Sequence, residues 1–262
     1  MNIQIFQIDA FTSTAFGGNP AAVCPLENWL SDKQMQLIAM ENNLAETAFY
    51  VKKEHDFEIR WFTPTTEVDL CGHATLASAF VIFNFEQPDI NIINFHSPRS
   101  GNLTVSKNEE LLTLNFPSDE IDEVEIPTEI SESFDIKPKS VLKGKTDYIL
   151  VFGSQEDIVN FNPDFDVIAN LDSRGLIITA PGDNVDFVSR FFAPQSGIPE
   201  DPVTGSAHTS LTPYWSEKLG KKELTAKQLS KRQGDLLCIN LGDRVEISGK
   251  ARLYMSGTIF MD

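Results

Sequence analysis

An internal repeat is the feature of this sequence that most constrains its fold. Residues 56–64 read DFEIRWFTP and residues 186–194 read DFVSRFFAP, so five of nine positions are identical at an offset of 130 residues. The CGHA of residues 71–74 then corresponds to the TGSA of residues 204–207, at an offset of 133. A third match, residues 97–101 with 230–234, keeps that offset. Matches in the same order at about half the chain length predict two similar domains, since the period is far too long for a solenoid.

The change of offset from 130 to 133 requires an insertion of three residues between Pro194 and Gly205. We expect the domains to span residues 1–117 and 118–262, with the last strand returning to the first domain. An acidic, proline-flanked stretch at 117–129 has the composition of an exposed connection.

Both copies predict the same local structure. A strand ends at an X-Pro step, which disfavours helix, and a loop leads into a helix that begins at Gly72 or at Gly205. Residues 74–83 are apolar or small on every side, which indicates a helix buried all round. Gly-containing turns then separate further strands, expected at 91–95, 103–106, 111–116, 228–232, 236–240, 244–247 and 251–260. The predicted fold class is α+β, with two pseudo-symmetric domains, each a curled, mostly antiparallel sheet around a buried central helix.

Two further helix signals are local. Ser31 and Gln34 have the spacing of a capping box, and Leu30 with Met35 has that of a hydrophobic staple, which predicts a helix from Asp32 to about residue 42. Pro213 lies inside the second buried helix and is expected to kink or shorten it, because proline removes a backbone hydrogen bond.

Composition excludes several classes of function. The 262 residues carry a formal charge of −17, and an acidic surface repels both nucleic acid and anionic lipid, so neither is expected as a partner. No apolar run has the length of a membrane span. Residues 1–5 lack the basic region of a secretory signal, and three widely spaced cysteines do not form a disulfide framework. We therefore expect a cytoplasmic protein with free thiols.

The repeat also suggests where a site would form. A helix N-terminus carries unpaired N–H donors and about half a unit of positive charge. If the two buried helices direct their N-termini at one cleft, Gly72 and Gly205 would let the backbone approach a carboxylate without help from Arg or Lys. The alternative is that both glycines merely begin helices.

Polar residues near these positions are the candidates for chemistry. Glu46 stands in an apolar strand, either at a strand end in water or buried with a partner and a raised pKa, which would suit a general acid/base. The loops before and at the two helix starts add further candidates: Cys71, His73, Glu200, Asp201, Thr204, Ser206 and His208. Arg60 and Arg190 match across the repeat and are expected to form structural ion pairs.

Five motifs stand out along the chain: GGNPAAV at 17–23, NLAETAF at 43–49, Thr63-Pro64, DLCGHAT at 69–75 and DPVTGSAH at 201–208. Together they resemble those of the PhzF-like (phenazine-biosynthesis-like) isomerases, which share the diaminopimelate-epimerase fold. The resemblance covers nearly the whole chain. It implies cofactor-independent proton transfer on a small carboxylate-bearing substrate, an active site between the domains, and a homodimer in a biosynthetic process.

The resemblance also implies roles for particular residues. Glu46 would shuttle a proton on the substrate, with three further catalytic residues around it: His73, Asp201 and Ser206. The substrate would be held at two pairs of helix-starting residues, Gly72 with His73 and Gly205 with Ser206, and at the turn formed by Gly18 and Asn19.

Two other functions stay open. An amino-acid racemase or epimerase of the same fold would need a thiol at each helix start, and Cys71 faces Thr204 across the repeat. A ligand-binding protein could have kept the cleft and lost the chemistry. The four histidines show no metal-ligand spacing, and no cofactor or metal is expected.

Overall fold

The computed structural model describes residues 1–261. Its strands are β1 Asn2–Ala10, β2 Asn19–Leu26, β3 Glu46–Lys52, β4 Phe57–Phe62, β5 Glu67–Val68, β6 Ile92–Ser97, β7 Gly101–Asn108, β8 Leu111–Pro117, β9 Asp122–Val124, β10 Ser140–Lys143, β11 Asp147–Val151, β12 Gly175–Pro181, β13 Phe187–Ala193, β14 Ile198–Asp201, β15 Glu223–Gln228, β16 Gly234–Asn240, β17 Arg244–Gly249 and β18 Ala251–Phe260. Its helices are α1 Asp32–Asn42, α2 Gly72–Val81, α3 Thr128–Ser133, α4 Gln155–Asn160, α5 Phe165–Ala169 and α6 Gly205–Leu219. A π-helical turn, Ile82–Glu86, follows α2, and a 3-10 turn, Pro194–Ser196, follows β13.

Backbone contacts divide the chain into two compact units. The first comprises Met1–Asn115 together with the C-terminal segment from Ser248, and the second comprises Phe116–Ile247. The C-terminal strand β18 lies antiparallel to β1 within the first unit.

In the first unit the sheet begins with β1 antiparallel to β2 and continues with β2 parallel to β3. β4 is antiparallel to both β3 and β5, and it runs parallel to β6, which pairs antiparallel with β7. Helix α2 packs against β1, β2 and β3. The sheet is mixed, and α2 follows β5 and precedes β6 in the chain. This arrangement belongs to the α+β class that the sequence predicts.

The second unit repeats this order strand for strand. β11 is parallel to β12, and β12 is antiparallel to β13. β13 is antiparallel to β14 and parallel to β15, which pairs antiparallel with β16. Helix α6 packs against β15 and β16. The same succession of parallel and antiparallel pairs in both units is the structural counterpart of the sequence repeat.

Each unit contains an Arg–Glu ion pair at the corresponding place in the repeat. The Nε atom of Arg60 lies 2.7 Å from Glu67 Oε1, and that of Arg190 lies 2.7 Å from Glu200 Oε1. In both units the Arg is on the strand that precedes the loop and the Glu is on the short strand that follows it. The matched arginines therefore form structural ion pairs, as expected, and Glu200 is the partner of Arg190. The insertion lies in the segment between β13 and β14 that contains the 3-10 turn Pro194–Ser196.

Local signals account for both main helices of the first unit. Ser31 and Gln34 form the capping box at the start of α1, which spans Asp32–Asn42 as predicted. In α2 every residue from His73 to Val81 except Phe80 is buried. Two of its polar residues bond along the helix, since the Thr75 and Ser78 hydroxyls donate to the carbonyls four residues earlier.

The expectation that Pro213 shortens its helix is wrong, because α6 continues through it to Leu219. A proline at this position leaves the carbonyl of Thr209 without its usual helical donor. The backbone N–H of Asp119 donates to that carbonyl at 3.2 Å, so the missing hydrogen bond is replaced by one from outside the helix.

Two other local predictions differ from the structure. The strand expected at 228–232 ends at Gln228 and covers Glu223–Gln228 instead, because residues 229–233 form a turn in which Ser230 bonds to Pro202. The stretch at 117–129 is not a bare connection, since β9 within it pairs with β10. Within residues 1–261, none of the helices has the length and apolar character that crossing a lipid bilayer requires.

Candidate active site

Glu46 and His73 form the centre of a polar cluster in the first unit. Glu46 is the first residue of β3, and its side chain is 12 % exposed. His73 is the second residue of α2, and its Nε2 atom lies 3.3 Å from Glu46 Oε2. Residues 47–51 of β3 are buried, which fixes the carboxylate of Glu46 at the strand end, beside the first turn of the helix.

The imidazole of His73 is neutral over most of the pH range. Burial disfavours its charged form and lowers its pKa from 6.5 to about 3. The contact with Glu46 therefore joins a neutral ring, and not an imidazolium, to the carboxyl group at neutral pH.

Asn19 and Cys71 contact the other nitrogen of the same ring. Asn19 Nδ2 lies 3.2 Å and Cys71 Sγ lies 3.5 Å from His73 Nδ1. Cys71 is the N-cap residue of α2, but its side chain makes no capping hydrogen bond. Its thiol is directed towards the imidazole instead.

The turn before Asn19 depends on a glycine. Gly18 has φ of +60°, and a Cβ atom built on it would stand 2.0 Å from the carbonyl oxygen of Ala10. Only glycine avoids that overlap. Gly18 thus allows the chain to enter β2 with Asn19 buried and its amide against His73.

The potential ligand atoms of Glu46, Cys71 and His73 lie within 4.8 Å of one another, a grouping that the sequence spacing did not indicate. Cys71 and Glu46, however, contact different nitrogens of the imidazole. A single ion bonds to only one of these nitrogens. The contacts therefore place Cys71 and Glu46 on different sides of the ring.

In the second unit, Asp201 and Thr204 occupy the loop that leads into α6. The Thr204 hydroxyl donates to Asp201 Oδ2 at 2.5 Å, and as the N-cap residue of α6 it makes no side-chain capping bond. Buried Gln228 joins both ends of this loop, donating to the Asp201 carbonyl at 2.8 Å and accepting from the Thr204 N–H at 2.9 Å. The loop before α6 is thus fixed from β15.

Ser206, the second residue of α6, contacts a cation. Arg174 Nη1 donates to Ser206 Oγ at 3.0 Å, and the same guanidinium forms an ion pair with buried Asp147. An Arg side chain thus contacts the first turn of α6, where the sequence indicated only the helix N-terminus. His208, two residues further on, is wholly buried with Nδ1 2.8 Å from the Thr204 carbonyl, and burial lowers its pKa to about 4.

The predicted site residues thus fall into two groups, each described within its own unit. The first unit brings together Asn19, Glu46, Cys71 and His73, with Gly18 and Gly72 adjacent along the chain. In the second unit, Asp201 lies in the loop before α6 and bonds to Thr204, whereas Ser206 lies in the first turn of α6, after Gly205, and bonds to Arg174. Sequence reasoning missed Gln228, Arg174 and Asp147. The repeat carried no signal for Arg174, since its counterpart at the offset of 130 is Leu44.

Comparison with known proteins agrees with this architecture. The family model described as phenazine biosynthesis-like protein matches residues 8–257. An uncharacterized isomerase of Pseudomonas aeruginosa is 48 % identical, with 100 % of both chains covered. The crystal structure of a PhzF-family phenazine biosynthesis protein from Enterococcus faecalis superposes with a TM-score of 0.97 at 44 % identity, again over 100 % of both chains.

A more distant structure shows the fold alone. A hydroxyproline epimerase from Agrobacterium vitis matches with a TM-score of 0.62 at 7 % identity, covering 98 % of this chain and 92 % of that one. Fold and relatives together define an isomerase of the two-domain, epimerase-like class. Within that class, the chain belongs to the phenazine biosynthesis-like (PhzC-PhzF) family.

Proposed function

We propose that this isomerase moves a proton between two atoms of a small carboxylate-bearing substrate without a cofactor, and that Glu46 is the general acid and base. The observation that carries the proposal is the contact of Glu46 with His73 at 3.3 Å, at a strand end beside the first turn of α2. A proton shift needs one group that both accepts the proton and returns it, and a carboxyl group largely withdrawn from water can do so.

His73 serves in this proposal as the partner of Glu46. The lowered pKa of the imidazole, about 3, keeps the ring neutral, so it does not compete with Glu46 for the substrate's proton. The N-terminal N–H groups of α2 at Gly72 and His73 are proposed to hold the substrate carboxylate, since a helix start favours negative charge.

The second unit supplies the remaining proposed residues. The start of α6 repeats that of α2, which supports the same carboxylate-binding task for Gly205 and Ser206. Asp201 and Ser206 are proposed to take part in catalysis, Ser206 through its hydroxyl and Asp201 through its carboxylate. We also propose that the protein forms a homodimer and acts in a biosynthetic process, as the family resemblance implies.

The test is incubation of the protein with a panel of small carboxylic and amino acids in D2O, followed by mass spectrometry. We expect deuterium incorporation or isomerisation of at least one compound by the wild-type protein. Glu46→Gln keeps the shape of the side chain but cannot exchange a proton, and its rate should fall by about 10²–10⁴-fold. Full turnover by Glu46→Gln would disprove the assignment.

Cys71→Ser separates the racemase alternative from this proposal. A thiol-dependent racemase would lose turnover in Cys71→Ser and keep it in Glu46→Gln, which is the reverse of what we expect. A binding protein would retain a ligand through purification and exchange no deuterium into it.

A further inference from the structure

Asn19 and Cys71 both approach the Nδ1 atom of His73, and the chemistry of these contacts constrains where the ring carries its proton. The nearer atom of Asn19 is the amide nitrogen Nδ2, at 3.2 Å. An amide nitrogen has only hydrogens to offer, so it donates. The thiol of Cys71, at 3.5 Å, is a weak donor as well.

A neutral imidazole has one donor nitrogen and one acceptor nitrogen. With Nδ1 accepting from Asn19, the ring proton is on Nε2, which faces Glu46 Oε2 at 3.3 Å. That N–H is then the group beside the Glu46 carboxyl oxygen. The opposite tautomer would set a donor against a donor at Nδ1.

We propose that Asn19 and Cys71 are positioning residues that hold His73 in its Nε2–H tautomer, so that the ring nitrogen facing Glu46 already carries a proton and cannot take one from it. The inference deepens the proposed function and relies on it only for this catalytic consequence. It assigns to buried Asn19 a task other than the contact with substrate that the family resemblance suggests. A proton collected by Glu46 then stays on Glu46, because the nitrogen that faces it already carries one.

A second buried histidine, His208 in the second unit, is expected to carry its proton on the other ring nitrogen and so provides a comparison within the same protein. His208 is also buried and has a lowered pKa, and its Nδ1 lies 2.8 Å from the backbone carbonyl of Thr204. A carbonyl only accepts, so His208 carries its proton on Nδ1. The two buried histidines of this chain are thereby expected to be opposite tautomers.

The experiment is two-bond ¹⁵N–¹H correlation NMR of the full-length protein labelled at its four histidines, recorded near pH 7, with the resonances of His73 and His208 identified by their loss in His73→Gln and His208→Gln. We expect Nδ1 of His73 to resonate as an acceptor nitrogen and Nε2 as a protonated one, with the reverse for His208. A protonated Nδ1 at His73, or a doubly protonated ring, would overturn the proposal. The measurement uses no substrate, so its result does not depend on whether Glu46 is the general acid and base.

Variants test each donor in turn. Asn19→Asp replaces the donor with an acceptor and is expected to move the proton of His73 to Nδ1. Where that variant does not fold, Asn19→Leu removes the donor and should shift the Nδ1 resonance towards that of an acceptor with weaker hydrogen bonding. Cys71→Ala should do the same to a lesser extent, whereas Cys71→Ser keeps a donor and serves as its control. Folded Asn19 variants with an unmoved Nδ1 resonance would refute the role of Asn19, and Cys71→Ala indistinguishable from Cys71→Ser would refute that of Cys71.

Discussion

The backbone N–H of Asp119 donates to the carbonyl oxygen of Thr209, the acceptor that Pro213 leaves without a partner inside α6. The side chain of Asp119 adds a second link to the same helix, because the buried Ser210 hydroxyl donates to its Oδ2 atom at 2.8 Å. One residue outside the helix thus compensates for the proline within it.

Asp119→Ala tests the hydrogen bond between the Asp119 carboxylate and Ser210. It removes the carboxylate that accepts from Ser210 and leaves a buried hydroxyl without that acceptor, so we expect a loss of about 1–3 kcal/mol in the free energy of unfolding. Urea denaturation measures it. Glu120→Ala, at an exposed neighbouring position, is the control and should change stability by less than about 0.5 kcal/mol. An equal effect of the two variants would contradict the prediction.

Gly18→Ala should destabilise the protein strongly. Its backbone is left-handed, with φ of +60°, and the added Cβ would overlap the Ala10 carbonyl oxygen at 2.0 Å. Gly101 is a matched control, since its φ is +71° but a Cβ added there would have no atom within 4 Å. We expect Gly101→Ala to cost about 1 kcal/mol from backbone strain and Gly18→Ala to cost at least about 2 kcal/mol more. Thermal or urea unfolding gives the comparison, and similar losses would show that the overlap is relieved.

Arg190→Lys should cost more stability than Arg60→Lys. Each arginine makes a bidentate pair with its glutamate. Arg60 adds an ion pair with exposed Asp32, which contributes little in water, whereas Arg190 donates from Nη1 to the carbonyls of Ile158 and Phe161. Lysine cannot reproduce these planar contacts. At about 0.5–1.5 kcal/mol for each lost hydrogen bond, we expect Arg190→Lys to be the more damaging by roughly 1–2 kcal/mol. Equal unfolding free energies for the two variants would argue against it.

Stability should increase as the pH rises from about 3 to 6.5. The folded-state pKa of His73 is about 3 and that of His208 about 4, both below the ordinary 6.5. The unfolded chain therefore binds more protons in this window, so the histidine contribution is fully present above pH 6.5 and is lost as the pH falls towards the folded-state values. Each group contributes up to about 1.4 kcal/mol per pH unit.

His208→Gln should flatten that profile in urea unfolding followed at several pH values. His55→Gln makes the same substitution at an exposed position and provides the control. Parallel profiles for His208→Gln and the wild type would show that His208 does not titrate in this way.

Once a substrate is identified, the product should retain part of a label placed at the migrating position. A proton held by Glu46 alone, without a relay through His73, can return to the substrate before it exchanges with water. Substrate deuterated at that position, converted in H2O, should give product with measurable deuterium by mass spectrometry. Complete loss of label at the earliest turnovers would indicate a second exchangeable base and would count against a single carboxyl group.

Much of the architecture was predictable from the sequence, for reasons that are local or repetitive. The repeat predicted two similar units, and the spacing of Ser31 and Gln34 predicted the start of α1, because a capping box involves only residues three apart. The uniformly apolar run after His73 predicted a buried helix. The strand ending at Gln228 was misplaced by several residues, since its register depends on pairing with β13 and β16 and on no local signal.

The sequence by itself determined the duplicated α+β plan and the candidate residues Glu46 and His73, because repetition, periodicity and motif spacing are properties of the chain order. Only the tertiary structure decided which atoms meet. Asn19, Glu46 and Cys71 converge on the two nitrogens of one imidazole from separate elements, and Arg174 reaches Ser206 from 32 residues away. Hydrogen bonds act over about 3 Å, and contacts on that scale between distant positions follow from the packing of strands and helices and leave no pattern in the sequence.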